Sequence, residues 1–268
     1  MSRQLEGKSA VITGSGSGIG RATALLMAAR GARVTVSDVD DANGEETVRQ
    51  VREAGGEATY AHCDVTDGEQ VLALMRHAAE THGGIDVLHN NAGIHDTAIA
   101  GDTSSETISE EAFDRVFDIN VKGTWRCARA ALPYLREAPQ GSGTVINSAS
   151  VVSFVAFPMG PAYCASKGAI MQLTKSMATD WAKFGIRVNA YAPGVIETAM
   201  VSKYWETAED QAAVKRELAS TSLIPRLGQA EDVAAMVCFL ASDDAEFLTG
   251  GIYLVDGGML AWRGANEV

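Results

Sequence analysis

The sequence predicts a single-domain α/β protein in which helices cover both faces of a parallel sheet. Three observations support this fold class. Short β-branched runs alternate with longer helical patterns, a glycine-rich stretch follows the first run, and no repeat, linker or low-complexity tract interrupts the 268 residues. Repeated strand-then-helix units favour a parallel sheet with helices on both faces. A chain of this length can bury one large core.

Seven strands are predicted, each separated from the next by a longer segment. They are runs rich in β-branched and other apolar residues, at residues 9–13, 33–38, 57–63, 85–90, 144–148, 187–192 and 251–255. Amphipathic or Ala- and Leu-rich patterns predict helices at residues 18–29, 40–54, 67–82, 109–135, 161–184 and 229–241. Ser109 suits the N-cap of the fourth helix, and Pro161 suits the first turn of the fifth.

Two segments do not fit this alternation of strands and helices. Residues 94–107 form a polar loop rich in Thr, Ser and Asp, and residues 195–223 carry a helical pattern between a strand and the next helix. Each follows the carboxyl end of a strand, which is the edge where open parallel sheets bind ligands. We therefore expect both to border a site, with residues 195–223 as a mobile lid. The alternative for Tyr204 and Trp205 is that these aromatic side chains only pack the segment down.

The composition disfavours several classes of partner. A formal net charge of -12 repels nucleic-acid backbones and anionic lipid, so we expect neither nucleic-acid nor membrane binding. No apolar run is long enough to span a bilayer, and no basic-then-apolar leader opens the chain. The five histidines include no close ligand set, so no metal site is expected. The four cysteines are far apart, which favours reduced thiols and a cytoplasmic location: Cys63, Cys127, Cys164 and Cys238.

The glycine-rich stretch lies between the first strand and the first helix. Residues 13–20 have the pattern Thr-Gly-x-x-x-Gly-x-Gly, with glycines at Gly14, Gly18 and Gly20. Glycine lets the backbone turn sharply and approach a pyrophosphate, whose charge is stabilised by the amide groups at a helix N-terminus. Between a strand and a helix, this stretch indicates a dinucleotide site that also includes Ser17 and Ile19.

Asp38 ends the second strand, 18 residues after Gly20. An acid at this place accepts hydrogen bonds from both hydroxyl groups of an adenosine ribose and repels a 2′-phosphate. The repulsion from a dianion at contact distance is on the order of 8 kcal/mol before screening, at an effective dielectric of about 20. Arg33 lies on the same strand, too early to neutralise Asp38, so the sequence predicts NAD rather than NADP. The alternative is an aspartate that only ends the strand in a turn.

Tyr163 and Lys167 are four residues apart in the predicted fifth helix, so they share one of its faces. A free tyrosine has a pKa of about 10, which is too high for a base near neutrality. An ammonium about 5 Å away favours the phenolate by roughly 3 kcal/mol, or about 2 pKa units, at an effective dielectric of about 20. The pair therefore indicates a proton acceptor. The alternative is a core tyrosine beside a solvated lysine.

Together these motifs resemble those of the short-chain dehydrogenase/reductase family, in its ordinary-length branch. The resemblance covers nearly the whole chain and rests on residues 13–20, Asp64-Val65, Asn90-Asn91-Ala92-Gly93, Asn120, Ser150, Tyr163 with Lys167, and Pro193-Gly194 with Thr198. It implies a doubly wound Rossmann fold, a single domain over residues 1–268 with a seven-stranded parallel sheet in the order 3-2-1-4-5-6-7.

The resemblance also implies cofactor-binding residues. Asp64 resembles the acid that hydrogen-bonds the adenine amino group, with the Val65 amide beside it, although a turn or helix-cap role is the alternative. Three residues after the fourth strand either contact the cofactor ribose or only tie strand to helix: Asn91, Ala92 and Gly93. The stretch implied to hold the nicotinamide carboxamide contains Pro193, Gly194, Ile196 and Thr198.

Two further residues join Tyr163 and Lys167 in the implied catalytic set. The family's catalytic serine lies thirteen residues before the tyrosine, which selects Ser150 rather than Ser148. Asn120 resembles the residue that positions a water between Lys167 and solvent; a polar residue that only kinks the helix is the alternative. Family members commonly have a glycine shortly after the serine, and Ser153 at that place leaves the shape of the loop open.

The implied function is transfer of a hydride between a secondary alcohol or ketone and the nicotinamide of NAD. Tyr163 accepts the hydroxyl proton, Ser150 hydrogen-bonds the same oxygen, and Lys167 holds the nicotinamide ribose. Apolar residues after Ser150, at positions 151–159, favour a small-molecule substrate with a hydrophobic body, and His95 and Trp205 are further candidates for the pocket.

Two other functions stay open at this stage. One is a non-catalytic NAD-binding regulatory protein, which would keep the glycine-rich stretch and Asp38 but not need Ser150 or Tyr163. The other is a redox-neutral isomerase or dehydratase that retains NAD. The family expectation for assembly is a homotetramer, with subunit contacts near residues 248–258 and in the tail at residues 260–268.

Overall fold

Seven strands form one parallel sheet through the chain. The computed structural model describes residues 4–101, 104–139, 142–158, 160–206 and 208–262, except for the side chains of residues 100, 203 and 204. The strands are β1 (Ser9–Thr13), β2 (Arg33–Asp38), β3 (Glu57–His62), β4 (Val87–Asn90), β5 (Thr144–Ser148), β6 (Arg187–Pro193) and β7 (Ile252–Val255). Their order is β3-β2-β1-β4-β5-β6-β7, and every neighbouring pair is parallel. The predicted fold class and strand order are confirmed.

Helices lie on both faces of this sheet. They are α1 (Gly18–Ala29), α2 (Asp41–Glu53), α3 (Gly68–His82), α4 (Thr97–Ala100), α5 (Glu110–Phe117), α6 (Thr124–Glu137), α7 (Pro161–Trp181), α8 (Ala199–Glu206), α9 (Gln211–Ser220) and α10 (Ala230–Ala241). Helix α1 packs against α2 and α10, and α3 packs against α6. No helix among the described residues is long and apolar enough to cross a membrane.

Two large hydrophobic clusters fill the spaces between the sheet and its helices. Successive side chains of a strand point to opposite faces of the sheet, so neighbouring residues join different clusters. Ile12 packs in the cluster that contains Met27 of α1 and Val237 of α10. Val11 packs in the other cluster, which contains Leu74 of α3. Packed apolar side chains therefore cover both faces of the sheet.

The helix predicted at residues 109–135 is present, but it is not α-helical throughout. The chain forms α5, then a π-helical segment at Asp118–Gly123, then α6 as far as Glu137. A π-helical turn adds one residue to the α-helical repeat, and a pattern of apolar residues does not reveal that insertion. Asn120 lies in this segment, so the irregular backbone occurs at a predicted site residue.

Strand bounds differ slightly from the sequence-based expectation. Strand β4 begins at Val87 instead of residue 85. Asp86 just before it still contacts the first residues of both neighbouring strands: its backbone carbonyl accepts from the Thr144 N–H of β5, and its carboxylate accepts from the Ser9 N–H of β1. Strand β6 extends through Pro193. Proline has no backbone N–H to donate to a neighbouring strand, so it is accommodated at the end of a strand.

Candidate active site

A deep cavity opens at the carboxyl edge of the sheet, between the half that contains β3 and the half that contains β7. This is the topological switch point at which doubly wound sheets bind ligands. The cavity has a volume of about 680 Å³. Its wall contains most of the predicted site residues: Gly14, Ser17, Gly18, Ile19, Asp38, Asp64, Val65, Asn91, Ala92, Gly93, Ser150, Tyr163, Lys167, Pro193, Gly194, Ile196 and Thr198. Gly20 and Asn120, also predicted, lie behind this wall.

The glycine-rich turn after β1 is held by close backbone packing. Gly14 has a φ of 61°, and a Cβ there would lie 2.7 Å from the Ala92 Cα. A Cβ on Gly20 would lie 2.2 Å from the Gly14 carbonyl oxygen. The side-chain amide of Asn91 donates to that same carbonyl at 2.7 Å. Glycine is therefore required at both positions, and Asn91 ties the turn to the end of β4 whatever else it contacts.

Asp38 lies at the end of β2 with its carboxylate in the cavity wall. Its Oδ2 accepts a hydrogen bond from the Gly16 backbone N–H at 2.8 Å, and its Oδ1 accepts one from the Asp40 backbone N–H at 3.1 Å. Among the described residues it forms no ion pair, and the Arg33 guanidinium donates to the Gly7 carbonyl at the opposite end of the strand. The carboxylate thus faces the cavity with its negative charge uncompensated by a cation.

Asp64 and Val65 form the far end of the cavity, after β3. Asp64 Oδ1 accepts from both the backbone N–H and the hydroxyl of Thr66, at 2.8 and 2.7 Å. Arg115 Nη2 lies 3.8 Å from Asp64 Oδ2, and this guanidinium also lines the cavity. Burial alone would raise the pKa of Asp64, but the bonds from Thr66 and the charge of Arg115 hold that pKa below its usual value. Asp64 therefore makes a turn and lines the cavity, so the two roles considered for it are compatible.

Tyr163 and Lys167 lie in the first two turns of α7. Lys167 is 5% exposed, and its Nζ lies 5.6 Å from the centroid of the Tyr163 ring. The Nζ also donates to the Ser148 carbonyl at 2.6 Å, at the end of β5. Burial lowers the pKa of Lys167 to about 8. The alternative of a solvated lysine is therefore wrong, and Tyr163 is half-buried in the cavity wall instead of sealed in the core.

Ser150 opens a short 3-10 turn, Val151–Ser153, that follows β5. The Ser150 backbone N–H donates to Ser153 Oγ at 3.3 Å, and Ser153 Oγ donates to the Lys167 carbonyl at 2.8 Å. Ser153 thus joins the turn that carries Ser150 to the helix that carries Lys167. The shape of this loop, which the sequence left open because Ser153 replaces a glycine common in the family, is fixed by these two bonds.

Asn120 is buried behind the cavity and braces the loop after β4. Its Oδ1 accepts from the Ile94 backbone N–H at 2.9 Å, and its Nδ2 donates to the Ile94 carbonyl at 2.9 Å and to Ser166 Oγ at 3.0 Å. Ser166 Oγ in turn donates to the Tyr163 carbonyl at 2.8 Å. The side chain of Asn120 therefore links the π-helical segment, the loop and α7.

Segment 195–223 folds into α8 and α9 beside the cavity. Ala199, Met200 and Val201 belong to the cavity wall, so this segment does border the site. Trp205 does not line the wall: it is 4% exposed and packs in a small cluster with Ala219 and Leu227. Packing down is therefore the observed role of Trp205. The Tyr204 side chain lies outside the described part of the chain.

The apolar wall predicted after Ser150 is displaced from the cavity. Phe154, Val155 and Phe157 are exposed, and none of the described residues 151–158 belongs to the cavity wall. The 3-10 turn carries these side chains outward, and residue 159 lies outside the described residues. His95 also lies behind the wall, with its ring centroid 4.7 Å from that of Tyr163.

Several cavity residues were not among the predicted site residues. They come from loop ends, from β5, from α5 and the π-helical segment after it, and from α8: Val39, Cys63, Ile94, Arg115, Ile119, Ser148, Ala149, Ala199, Met200 and Val201. Arg115 shows the reason, because its partner Asp64 lies on another element, far away in sequence. Four of them lie in the two segments that were expected to border the site: Ile94 in residues 94–107, and Ala199, Met200 and Val201 in residues 195–223.

Known proteins resemble this chain over almost its whole length. A family model described as enoyl-(acyl carrier protein) reductase matches residues 14–260. The cis-4-hydroxycyclohexanecarboxylate dehydrogenase of Sinomonas cyclohexanicum is 39% identical over 252 residues, which are 94% of this chain and 96% of that protein. The cyclohexanol dehydrogenase of Acinetobacter sp. (strain SE19) is 35% identical over 257 residues, 96% of each chain.

A solved structure agrees with these relatives. The crystal structure of levodione reductase aligns with a TM-score of 0.89 at 35% sequence identity, covering 96% of this chain and 99% of that one. The chain belongs to the short-chain dehydrogenase/reductase family. It is accordingly an oxidoreductase of that family, which uses a nicotinamide cofactor, and the predicted hydride-transfer function is confirmed.

The cavity of this short-chain dehydrogenase/reductase fits such a cofactor. The backbone of the glycine-rich turn packs so closely at Gly14 and Gly20 that neither position has room for a side chain, and Gly14 and Gly18 line the cavity. The Asp38 carboxylate has backbone partners only, which leaves acceptor capacity for hydroxyl groups. A pyrophosphate beside the start of α1 and a ribose beside Asp38 both match the chemistry of these groups.

Proposed function

We propose that this protein is an NAD-dependent short-chain dehydrogenase/reductase that transfers a hydride between a secondary alcohol or ketone and the nicotinamide. The observation that carries the proposal is the meeting of Ser150, Tyr163 and Lys167 in one cavity wall that also contains Asp38. Bound NAD supplies the acceptor or donor of the hydride. The residues of this chain accept the proton of the substrate hydroxyl group and hold the substrate oxygen in position.

Tyr163 is the proton acceptor in the direction of alcohol oxidation. The buried ammonium of Lys167, 5.6 Å from the phenol ring, stabilises the phenolate because little water separates the two groups. Ser150 donates a hydrogen bond to the same substrate oxygen and so fixes its position beside the phenol. Asn120, behind the wall, is the residue proposed to position a water that connects Lys167 with solvent.

The remaining predicted residues hold the cofactor. Gly14, Ser17, Gly18, Ile19 and Gly20 form the cradle for the pyrophosphate, with amide groups at the start of α1. Asp64 and Val65 lie at the adenine end, while Asn91, Ala92 and Gly93 lie under the ribose. Pro193, Gly194, Ile196 and Thr198 hold the carboxamide, and Lys167 binds the ribose hydroxyl groups on the nicotinamide side.

Asp38 is the reason to propose NAD and not NADP. Its charge faces the cavity without a cationic partner among the described residues, so a 2′-phosphate would meet an uncompensated carboxylate. The cationic side chains in the wall are Lys167, at the catalytic end, and Arg115, which lies beside Asp64. A preference for NAD favours the oxidative direction in cells.

The substrate we propose is a secondary alcohol or ketone with a hydrophobic, alicyclic body. The wall beside the catalytic residues carries the apolar side chains of Ile94, Met200 and Val201. Two relatives are named as dehydrogenases of cyclohexanol and of a hydroxycyclohexanecarboxylate, which supports an alicyclic ring. The family model is described by an acyl-carrier substrate instead, so acyl thioesters are the competing class.

A substrate panel with both cofactors tests cofactor and substrate together. Alicyclic, steroid, sugar and acyl-thioester substrates would be assayed with NAD⁺ and NADP⁺, and with the reduced forms in the opposite direction. We expect the highest kcat/KM for an alicyclic alcohol with NAD⁺. A higher kcat/KM with NADP⁺ would contradict the role of Asp38, and saturation by free sugars alone would contradict the apolar pocket.

The variant Tyr163→Phe tests the catalytic assignment. We expect a folded protein that binds NADH as the wild type does and whose kcat is reduced about 10²- to 10⁴-fold, the contribution of a positioned acid–base group. Tyr134→Phe, on α6 away from the cavity, is the matched control and should keep wild-type kcat. Near wild-type turnover in Tyr163→Phe would remove Tyr163 from its role.

Assembly and the lid belong to the same proposal. A homotetramer is supported by apolar side chains exposed in the last third of the chain, including Phe247 at 97% and Leu254 at 44%. Light scattering on the purified protein would test it, and a monomeric mass would refute it. The single domain over residues 1–268, the lid at residues 195–223 and the cytoplasmic location stay predictions, and residues 263–268 of the tail lie outside the described chain.

A further inference from the structure

A buried carboxylate from the loop after β4 lies at the start of the helix that carries Tyr163. Asp96 has an exposure of 0%. Its Oδ2 accepts from the Ala162 backbone N–H at 3.0 Å, and its Oδ1 accepts from the Tyr163 backbone N–H at 2.7 Å. Asp96 directly precedes α4 but makes no capping bond to that helix, so both carboxylate oxygens serve α7.

Helix α7 has no side-chain cap from its own neighbours. Its N-cap residue is Gly160, which has no side chain, and its first residue is Pro161, which has no backbone N–H. The next two N–H groups, of Ala162 and Tyr163, are the ones that need partners, and Asp96 provides both. The partial positive charge at a helix N-terminus stabilises the carboxylate there, which offsets part of the cost of burying it.

The same loop is held on its other side by Asn120. Asn120 bonds both the N–H and the carbonyl of Ile94, two residues before Asp96. His95 lies between these two anchors, and its ring packs 4.7 Å from the ring of Tyr163. Gly93 and Ile94, at the start of this loop, line the cavity. The loop is therefore clamped between the π-helical segment and the first turn of α7.

We propose that Asp96 is a positioning residue for Tyr163: by capping α7 it sets where the phenol and the Lys167 ammonium lie relative to the loop that lines the cavity. The inference rests on the proposed function, in which Tyr163 is the proton acceptor. Tyr163 receives its position through its own backbone N–H, 67 residues from Asp96 in sequence. A misplacement of about 1 Å in a reacting group is enough to reduce a rate about 100-fold.

The test replaces Asp96 in the full-length protein and separates turnover from cofactor binding. In Asp96→Ala both bonds are lost, and we expect kcat to fall about 10- to 100-fold while the Kd of NADH changes less than about twofold. In Asp96→Asn one carbonyl oxygen remains, and we expect an intermediate loss of kcat, about 3- to 10-fold. Deuterium exchange of a peptide over residues 160–167 should accelerate in the same order, because the Ala162 and Tyr163 amides lose their acceptors.

The matched control is Asp232→Ala. Asp232 also accepts from a backbone N–H at a helix start, that of Gln229 at 2.8 Å, and it pairs with Arg226, but it lies on α10. It should lower thermal stability and leave kcat within about twofold of wild type. Equal loss of kcat in Asp232→Ala and Asp96→Ala, at equal loss of thermal stability, would overturn the proposal. A wild-type kcat in Asp96→Asn would also overturn the proposal, and this variant serves as the test if Asp96→Ala does not fold.

Tyr163→Phe assayed in parallel distinguishes this inference from the proposed function. An inactive Tyr163→Phe with a fully active Asp96→Ala refutes the positioning role alone. An active Tyr163→Phe refutes the assignment of Tyr163 as the proton acceptor, on which this inference rests, and the exchange data then still report whether Asp96 holds the start of α7.

Discussion

The cofactor half and the catalytic half of the cavity are built in different ways. At the cofactor half, the turn after β1 is shaped by backbone packing, with Gly14 against Ala92 and Gly20 against Gly14. At the catalytic half, side chains are fixed by hydrogen bonds to the backbone of other elements, as Lys167 is bonded to the Ser148 carbonyl. The turn of the cofactor half requires that two of its residues have no side chain. The catalytic half requires polar side-chain atoms that form buried hydrogen bonds.

This difference determines how each half responds to substitution. A methyl group added to the cofactor half meets main-chain atoms, which cannot move aside cheaply, so binding should fail while the chemistry of the other half is intact. When a polar side-chain atom is removed from the catalytic half, its hydrogen-bond partner is left unpaired or moves. Turnover should then fall while the affinity for the cofactor is unchanged. Substitutions in each half therefore test whether the two halves are independent.

The largest effect is expected for Lys167→Met at the catalytic half. Turnover should fall about 10²- to 10⁴-fold, because the phenolate of Tyr163 loses its cation. The apoprotein should become more stable to urea, by about 2 kcal/mol at pH 7. In the wild type, burial lowers the pKa of Lys167 from 10.5 to about 8, which destabilises the folded state by about 3 kcal/mol. Methionine removes this cost but also removes the bond to the Ser148 carbonyl, which lowers the gain by about 1 kcal/mol.

The pH dependence of that stability gain has a defined sign. Below pH 8 the lysine is charged in both the folded and the unfolded chain, so the full cost is present. Between pH 8 and 10.5 the folded state releases its proton first, and the cost disappears as pH rises. The gain of Lys167→Met over wild type should therefore shrink across this window. Lys175→Met, an exposed lysine on the same helix, is the control, and an equal gain there would contradict the explanation.

The next largest effect is expected for Gly20→Ala at the cofactor half. The new Cβ would lie 2.2 Å from the Gly14 carbonyl oxygen, so the turn must open and lose its fit to a pyrophosphate. The Kd of NADH, measured by fluorescence titration, should rise about 100-fold, or about 3 kcal/mol. Gly68→Ala places the same methyl group in the first turn of α3, where nothing lies within 4 Å, and should bind NADH normally. Wild-type affinity in Gly20→Ala would show that the turn adapts.

A smaller change is expected for Asp38→Asn, in the cofactor half. The charge is removed while an oxygen remains to accept from the Gly16 N–H. The ratio of kcat/KM for NAD⁺ to that for NADP⁺ should fall at least about 10-fold, because the repulsion of the 2′-phosphate is lost. Glu53→Gln, at the far end of α2, should leave the ratio unchanged. An unchanged ratio in Asp38→Asn would place cofactor choice elsewhere.

The smallest effect is expected for Ser153→Gly and Ser153→Ala. Each removes the hydroxyl that joins the Ser150 turn to the Lys167 carbonyl at 2.8 Å. We expect kcat to fall about 3- to 10-fold with unchanged NADH affinity, and a larger loss in glycine because the turn also gains backbone freedom. Ser242→Ala loses a similar hydroxyl-to-carbonyl bond, to Phe239 at the end of α10, and serves as control. Equal kcat in all three variants would leave Ser153 without a catalytic consequence.

The glycine-rich turn and Asp38 of the cofactor half were predictable from the sequence, because their determinants are local, whereas its other residues were available only through resemblance to a family. Gly14 and Gly20 pack together within one turn, and Asp38 ends the adjacent strand. The Tyr163–Lys167 pair was predictable for the same reason, since one helical turn brings the two side chains together. The strand order was available only through resemblance to a family, because pairing across a sheet has no local signature.

The catalytic half was predictable only in part, because its supports are distant in sequence. Asp96 reaches Tyr163 across 67 residues, and Ser148 accepts from Lys167 across 19. The π-helical segment around Asn120 was missed because one inserted residue leaves the apolar pattern almost unchanged. Trp205 was assigned to the pocket as one choice among two, and its burial depends on Ala219 and Leu227, which no spacing rule connects to it.

The cluster around Trp205 gives segment 195–223 a mechanical property. Its buried members, Trp205, Ala219 and Leu227, all come from this segment or directly follow it, and none belongs to the two large clusters beside the sheet. If this segment acts as the predicted lid, the cluster would move with it as one packed unit. Such a movement would act on the places where the segment joins the rest of the chain, which include the bridge between Ile196 and Gly228 and the bond from the Ser222 hydroxyl to the Asp256 carbonyl.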